Sequence, residues 1–594
     1  MDVKGFYQGQ IFDAYEYLGA HVTEKGVLFR TFAPHAVRIA LIGDFNNWQE
    51  YEMGRIYDGN FFEYYVEGAT EGMLYKYRIY QQDGRAVDHC DPYGFGMELR
   101  PNSASVVRDL SAYQFQDLEW MNKRTDCKQK PLNIYELHFG SWKKKNVHNS
   151  QWLSYKEVGH LLIPYLKKNG YNYIEIMPLN EHPCDESWGY QSTGFYSPTS
   201  RYGSATELME FIDLCHQNDI GVLTDFVPVH FAVDEYALAN YDGTALYEYP
   251  NTDVGMSEWG SCNFMHSRGE VRTFLQSAAR YWLKEYHFDG IRMDAISNII
   301  YWQGNPNRGV NKNAVEFIKY MNQGLKQQFP TAILSAEDCT TYPKVTKPVE
   351  DGGLGFDYKW DMGWMNDTLN YFRTHPYDRM RDYHKLTFSM MYYYSEDFLL
   401  PLSHDEVVHG KATIVQKMNG DYEGKFPQAR ALYLYMFTHP GKKLNFMGNE
   451  LGQLREWDEK RAQDWELLDY PIHEQFHRYM MDLNKLYLET PALYEWDYKP
   501  EGFQWVDCNL EEKCVYAFER RTKDMRVLCI FNFSDHIQEY RKEKLPEVRK
   551  IKLLLCSDME KYGGFHKYSR RMTKLTGEFV ISLQPFTGMI YLLD

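Results

Sequence analysis

No Cys-x-x-Cys pair occurs in this chain, although it carries ten cysteines between Cys90 and Cys556. A zinc or dithiol redox motif is therefore not expected, and thiols scattered so widely in a long chain argue for reduced cysteines in a cytoplasmic protein. The start, Met1-Asp2-Val3-Lys4-Gly5, lacks the apolar stretch of a signal peptide. No apolar run reaches membrane-spanning length, so no membrane partner is expected. Positive charge is in short supply: 65 Lys and Arg against 82 Asp and Glu leave a formal net charge of −17. That balance repels phosphate backbones and argues against a nucleic-acid partner, but it does not discourage a neutral ligand. Internal repeats and low-complexity linkers are also missing.

Chain length and aromatic surface are plentiful. The 594 residues exceed what one core accommodates, so two to four domains are expected. Aromatic residues make up 16%. Most such rings fill cores, although flat rings also suit the apolar faces of pyranose sugars.

Three regions separate by pattern. Residues 1–115 read as short strands and turns, for example Gly26–Ile42 and Tyr75–Tyr80, which predicts a small β-sandwich. From 116 to 490, strands alternate with helices. Eight candidate strands are Asn133–His138, Tyr173–Pro178, Gly221–Pro228, Gly290–Asp294, Ala332–Glu337, Gly355–Trp360, Leu399–Asp405 and Lys443–Gly448. Helical spacing predicts helices over Ser154–Lys168, Arg272–Tyr286, Ala314–Gln328 and His473–Glu489. This pattern argues for an α/β fold, a (β/α)₈ TIM barrel. From 491 to the end, alternating segments such as Val515–Arg520 and Arg526–Phe533 predict an all-β domain.

Catalytic groups in such a barrel come from the C-terminal ends of its strands. Here those ends are unusually polar: Asp225 and His230 after the third, Arg292 and Asp294 at the fourth, Glu337 and Asp338 at the fifth, His404 and Asp405 at the seventh. An acid at one strand end commonly caps the next helix, but a single fold accounts for all four ends together. Retaining glycoside chemistry needs an ionised nucleophile and a protonated acid about 5–5.5 Å apart. Asp294, two residues from Arg292, points to the same side of its strand and is the better nucleophile, because an adjacent Arg lowers a carboxyl pKa. Glu337 has the longer reach and suits the acid/base role. Asp405 and His404 can hold sugar hydroxyls and stabilise an oxocarbenium-like state. Asp338 either tunes the Glu337 carboxyl or only bonds the backbone, and the backbone role is the one expected.

These four motifs, Asp225–His230, Gly290–Asp294, Ala336–Asp338 and Ser403–Glu406, resemble in order the conserved regions of the α-amylase superfamily, glycoside hydrolase family 13. The resemblance makes Asp294 the nucleophile, Glu337 the acid/base and Asp405 the transition-state stabiliser. It places His230, Arg292 and His404, with Asp225, around the central sugar, and Tyr190 against its face. Tyr135–Trp142, Glu175–His182, Ser187–Gln191, Pro198–Gly203, His404–Lys411 and Phe446–Glu450 with Glu456-Trp457 look like the branching enzymes of that superfamily. Gly43–Trp48 and Asp91-Pro92-Tyr93 look like a family 48 carbohydrate-binding module, and the tail like the superfamily's C-terminal all-β domain.

The implied substrate is an α-glucan such as glycogen, amylose or amylopectin, and the implied reaction is transfer of an α-1,4-linked segment to a 6-hydroxyl. Trp142, Trp188 and Trp457 fall on barrel-face loops, where a sugar contact is expected. Val229 stands where calcium-binding relatives carry an Asn ligand and cannot coordinate a hard cation. No metal or cofactor is expected, and the chain is expected to be a monomer or weak oligomer. Water and a sugar hydroxyl are similar nucleophiles, so the carboxylate motifs leave a debranching hydrolase and a non-catalytic glucan-binding protein open as alternatives.

Overall fold

The computed structural model describes residues 1–146, 149–569 and 571–594. Eight parallel strands form a closed barrel in chain order. They are β1 (Asn133–Leu137), β2 (Tyr173–Ile176), β3 (Gly221–Phe226), β4 (Gly290–Met293), β5 (Ile333–Ala336), β6 (Tyr358–Trp360), β7 (Phe398–Leu402) and β8 (Lys442–Phe446). Every residue in these strands is buried, as expected of parallel strands covered on both faces. The eight expected strands are all present, most shorter at the C-terminal end, where the chain leaves the barrel to form the polar loops.

By internal contacts the chain divides into two compact units, one of Met1–Asp126, His138–Leu161 and Glu175–Asp357, the other of Cys127–Leu137, Leu162–Ile174 and Tyr358–Asp594. In the first, β3, β4 and β5 pair side by side, with Asp225 opposite Arg292 and Arg292 opposite Ser335. The helix Ala205–Gln217, which leads into β3, starts at a capping box: Ser204 and Glu207 exchange side-chain-to-backbone hydrogen bonds. The N-terminal region holds a four-stranded sheet (Gly19–Val22, Gly26–Phe32, Phe61–Glu67, Gly54–Ile56) and a five-stranded one that includes Arg38–Gly43 and Leu74–Tyr80. The segment Gly26–Ile42, expected as short strands and turns, holds two strands, Gly26–Phe32 and Arg38–Gly43, one in each sheet. Ala33-Pro34 separates them, because Pro34 has no N–H for a ladder. A helix that the sequence pattern does not reveal, Val3–Gln8, is tied to the helix Gly269–Glu285: Thr273 Oγ1 donates to Phe6 O at 2.9 Å and Gln276 Nε2 to Gly9 O at 2.9 Å.

In the second unit β6, β7, β8 and β1 pair in register, with Leu402 opposite Asn445 and Glu136 opposite Phe446. The C-terminal region is a six-stranded antiparallel sheet beside a two-stranded one. Buried arginines of the helix Tyr422–Thr438 and of the turn at 379 tie it to the rest of the same unit: Arg430 Nε donates to Ser557 O at 2.7 Å and Arg379 Nη1 to Phe533 O at 2.8 Å. All ten cysteines are free. No helix among the described residues is long and apolar enough to cross a membrane.

Candidate active site

Strand register brings the acids of the first unit together. Residues opposite each other on neighbouring parallel strands point to one side, and so do residues two apart on one strand. Asp225 therefore lies beside Arg292, Asp294 follows Arg292 on its own side, and Glu337 lies two residues beyond Ser335, the partner of Arg292. The Arg292 guanidinium is almost fully buried and joins all of them. Nη1 donates to Asp225 Oδ1 at 2.7 Å, to Asp294 Oδ1 at 3.1 Å and to Tyr190 Oη at 3.2 Å, while Nη2 donates to Glu337 Oε2. Tyr190 Oη in turn donates to Asp225 Oδ2 at 2.5 Å. Such a planar fork can hold several carboxylates at fixed angles; an ammonium cannot.

The backbone ladder runs one residue past the strands and holds both reactive candidates: Asp294 N donates to Phe226 O at 3.0 Å and Glu337 N to Met293 O at 3.1 Å. Ala295 follows in the left-handed region at φ 47°, a conformation that costs a non-glycine residue energy and concentrates at functional sites. It turns the chain so that Ile296 N donates to Glu337 O at 2.9 Å.

Three carboxylates surround one cation here, so the balance of charge is against full ionisation. Burial, the largest influence, pushes the Asp294 carboxyl well above the ordinary range; Arg292 opposes the rise, while Glu337 and Asp225 add to it. The lowering expected from Arg292 is thus present but outweighed. Asp294 and Glu337 are held by the same guanidinium, one on Nη1 and the other on Nη2. Glu337 is the more open, with its side chain 27% exposed against 15% for Asp294. Burial lowers His230 to about 4, so its ring is neutral at physiological pH, and Nδ1 has no partner among the described residues. Trp259, absent from the sequence reading, is 45% exposed and tilts over the His230 ring at 5.2 Å. Trp188 is half-buried in a left-handed turn. Asp338 accepts a bond from Thr340 N at 2.9 Å, as expected.

In the second unit His404 is buried and held twice by Glu136, which has no exposure: Nδ1 lies 2.5 Å from Oε1, and the backbone N donates to Oε2 at 3.0 Å. Glu136, the one acid in the buried strand Asn133–Leu137, holds His404 in place. Asp405 is 52% exposed and receives Lys411 Nζ at 3.1 Å. Glu456 accepts from Gly410 N at 3.0 Å and Ala412 N at 2.7 Å, which fixes the loop that carries Lys411. Trp457 is buried edge-on against Phe446 and His404, so it backs the His404 ring and offers no open sugar face. Trp142 is likewise fully buried.

Comparison with known proteins agrees with this architecture. The family model for carbohydrate-binding module 48 (isoamylase N-terminal domain) matches residues 17–94. That for the alpha amylase catalytic domain matches 160–244 and 259–549, and that for the alpha amylase C-terminal all-beta domain matches 505–594. Barrel, strand-end acids and flanking β domains define an enzyme architecture of the α-amylase kind. The chain is 44% identical over 576 residues to the 1,4-alpha-glucan branching enzyme GlgB of Fusobacterium nucleatum subsp. nucleatum, covering 96% of this chain and 93% of that one. It is 43% identical to GlgB of Geobacillus stearothermophilus (95% and 90% covered) and 44% identical to GlgB 1 of Clostridium perfringens (94% and 86% covered). The chain belongs to the family of 1,4-alpha-glucan branching enzymes. A pullulanase from Anoxybacillus sp. LM18-11, solved with maltotetraose, shares the fold at TM-score 0.76 and 17% identity, covering 100% of this chain and 89% of that one. A putative alpha amylase from Salmonella typhimurium does so at TM-score 0.74 and 18% identity, covering 97% and 100%.

Proposed function

We propose that the protein cleaves an α-1,4 bond of a glucan and transfers the freed segment to a 6-hydroxyl, creating an α-1,6 branch with net retention. Glu337 protonates the glycosidic oxygen while Asp294 attacks the anomeric carbon; the fragment bearing the reducing end leaves and a β-glycosyl ester remains on Asp294. Glu337 then takes the proton of an acceptor 6-hydroxyl, whose oxygen displaces Asp294 with a second inversion. Asp405 stabilises the oxocarbenium-like state. Tyr190, Asp225, His230, Arg292 and His404 hold the sugar, with Trp188 and Trp457 contributing at the rim and beneath His404. The catalytic domain is taken as 116–490, between a glucan-binding module at 1–115 and a β domain at 491–594. The protein acts in the cytoplasm as a monomer or weak oligomer, on α-glucan alone, without cofactor, membrane or nucleic acid.

The observation that carries this reading is the shared guanidinium. Asp294 and Glu337 both bond Arg292, so one fixed cation anchors the nucleophile and the acid side by side. The test is to incubate Glu337→Gln with α-maltosyl fluoride. Fluoride leaves without an acid, so glycosylation proceeds, while the second step lacks its base and stalls. Mass spectrometry of the digest is expected to find the glycosyl ester on the peptide containing Asp294. An adduct on a different carboxylate overturns the assignment.

A further inference from the structure

In an acidic protein, a cluster of cations with few acids is unexpected. One cavity of about 670 Å³, in the second unit, is lined by Arg373, Lys411, Lys417 and Lys425, with Gln416 and Asn419 among the polar groups, and no carboxylate lies among the described residues that line it. Among the described residues that line it, Lys411 alone is ion-paired, with Asp405 at 3.1 Å and Glu406 at 3.7 Å. The other three are held by main-chain carbonyls, which fix their position and leave their charge unmatched. Arg373 Nη2 donates to Lys411 O at 2.7 Å, Lys425 Nζ to Gln416 O at 3.1 Å and to Met418 O, and Lys417 Nζ to Glu406 O and Ala412 O. An ammonium has three donors and a guanidinium five, so each keeps donors to spare.

We propose that this cavity binds a phosphate monoester carried on a sugar. The dianion matches three unneutralised cations whose heads are already in place, one of them an arginine fork suited to phosphate oxygens. Gln416 and Asn419 supply amides for hydroxyls, and the volume suits a small ligand. Burial pushes the Lys417 ammonium down to about 8, with Arg373 and Lys411 adding to the fall and Glu406 and Glu456 opposing it, so an added anion here would favour the charged form. The proposal does not depend on the reaction proposed above.

Titration calorimetry of the full chain tests this, with glucose, inorganic phosphate, glucose 6-phosphate and a maltooligosaccharide bearing one 6-phosphate as probes. Glucose 6-phosphate or the phosphorylated oligosaccharide is expected to bind one per chain, at least tenfold more tightly than glucose, and more weakly as salt rises. Equal affinity for the two esters identifies a small ligand; preference for the oligosaccharide identifies a phosphorylated unit of the glucan. Arg373→Gln, at an exposed position, and Lys425→Gln are each expected to weaken binding several-fold, and together at least tenfold, with the thermal midpoint of the free protein measured alongside. Binding indifferent to both substitutions in folded protein, or no preference for the esters over glucose, overturns the proposal.

Discussion

Glu136 and His404 form a pair in which one buried carboxyl receives both the ring Nδ1 and the backbone N–H of the same histidine. A carboxylate in that position keeps the hydrogen on Nδ1, so the ring has one orientation and one tautomer. Trp457 and Phe446 close on the ring from the sides. Glu136 is thus a positioning residue that acts through His404.

Glu136→Gln keeps the shape but offers one oxygen where two accepted. One charged hydrogen bond is worth about 1.5–3 kcal/mol, so kcat/KM is expected to fall about 10–100-fold in a protein that still folds. Steady-state kinetics with a thermal melt in parallel checks this. An unchanged kcat/KM contradicts the positioning role.

Arg292→Lys replaces a fork by a point charge that cannot reach Asp225, Asp294, Glu337 and Tyr190 at once. Losing one or two of these bonds is expected to cost about 10²–10³-fold in kcat/KM. The pH profile carries more information. Asp294 must be ionised to attack, and its carboxyl is raised by burial against the pull of Arg292. Activity of the free enzyme therefore rises with pH through a value above the ordinary aspartate range, and weakening the pull of residue 292 moves that acid limb to still higher pH. A limb that stays in place in Arg292→Lys contradicts the account.

His216 governs stability at the other end of β4. Nδ1 lies 2.7 Å from Asp117 Oδ2 and Nε2 lies 2.8 Å from Asp289 Oδ2. Burial alone lowers the imidazolium, but Asp289 and Asp117 together raise it to about 9. A group raised in the folded state stabilises fully below its unfolded pKa, about 6.5, and that contribution is lost as pH climbs through the folded value. The urea midpoint is expected to decline between roughly pH 6.5 and 9 in the wild type. His216→Gln, which does not titrate, is expected to start lower and change less over that window. Parallel curves for the two proteins contradict the assignment.

Much of this was legible in the sequence, for identifiable reasons. Parallel strands buried on both faces read as short apolar runs, so β1–β8 are visible as segments, and the polar residues that interrupt them, Asp225, Arg292, Asp294 and Glu337, are the ones the register brings together. Long-range balances were not legible. Whether Arg292 or burial controls Asp294 depends on how much water the fold excludes, which no local pattern records. Trp142 and Trp457 sit in barrel-end motifs, yet the fold buries both, while Trp259, outside every motif considered, stands exposed over His230. The helix Val3–Gln8 is too short for a periodic signal and gains its partners from the helix Gly269–Glu285, far along the chain.

The central claim is transfer to a 6-hydroxyl, and one measurement tests it most directly. Purified protein is incubated with amylose, α-1,6 linkages are counted by proton NMR, and reducing ends are counted in the same sample. The account predicts new α-1,6 signals with few new reducing ends. Reducing ends rising without α-1,6 signals would contradict it and make the protein a hydrolase.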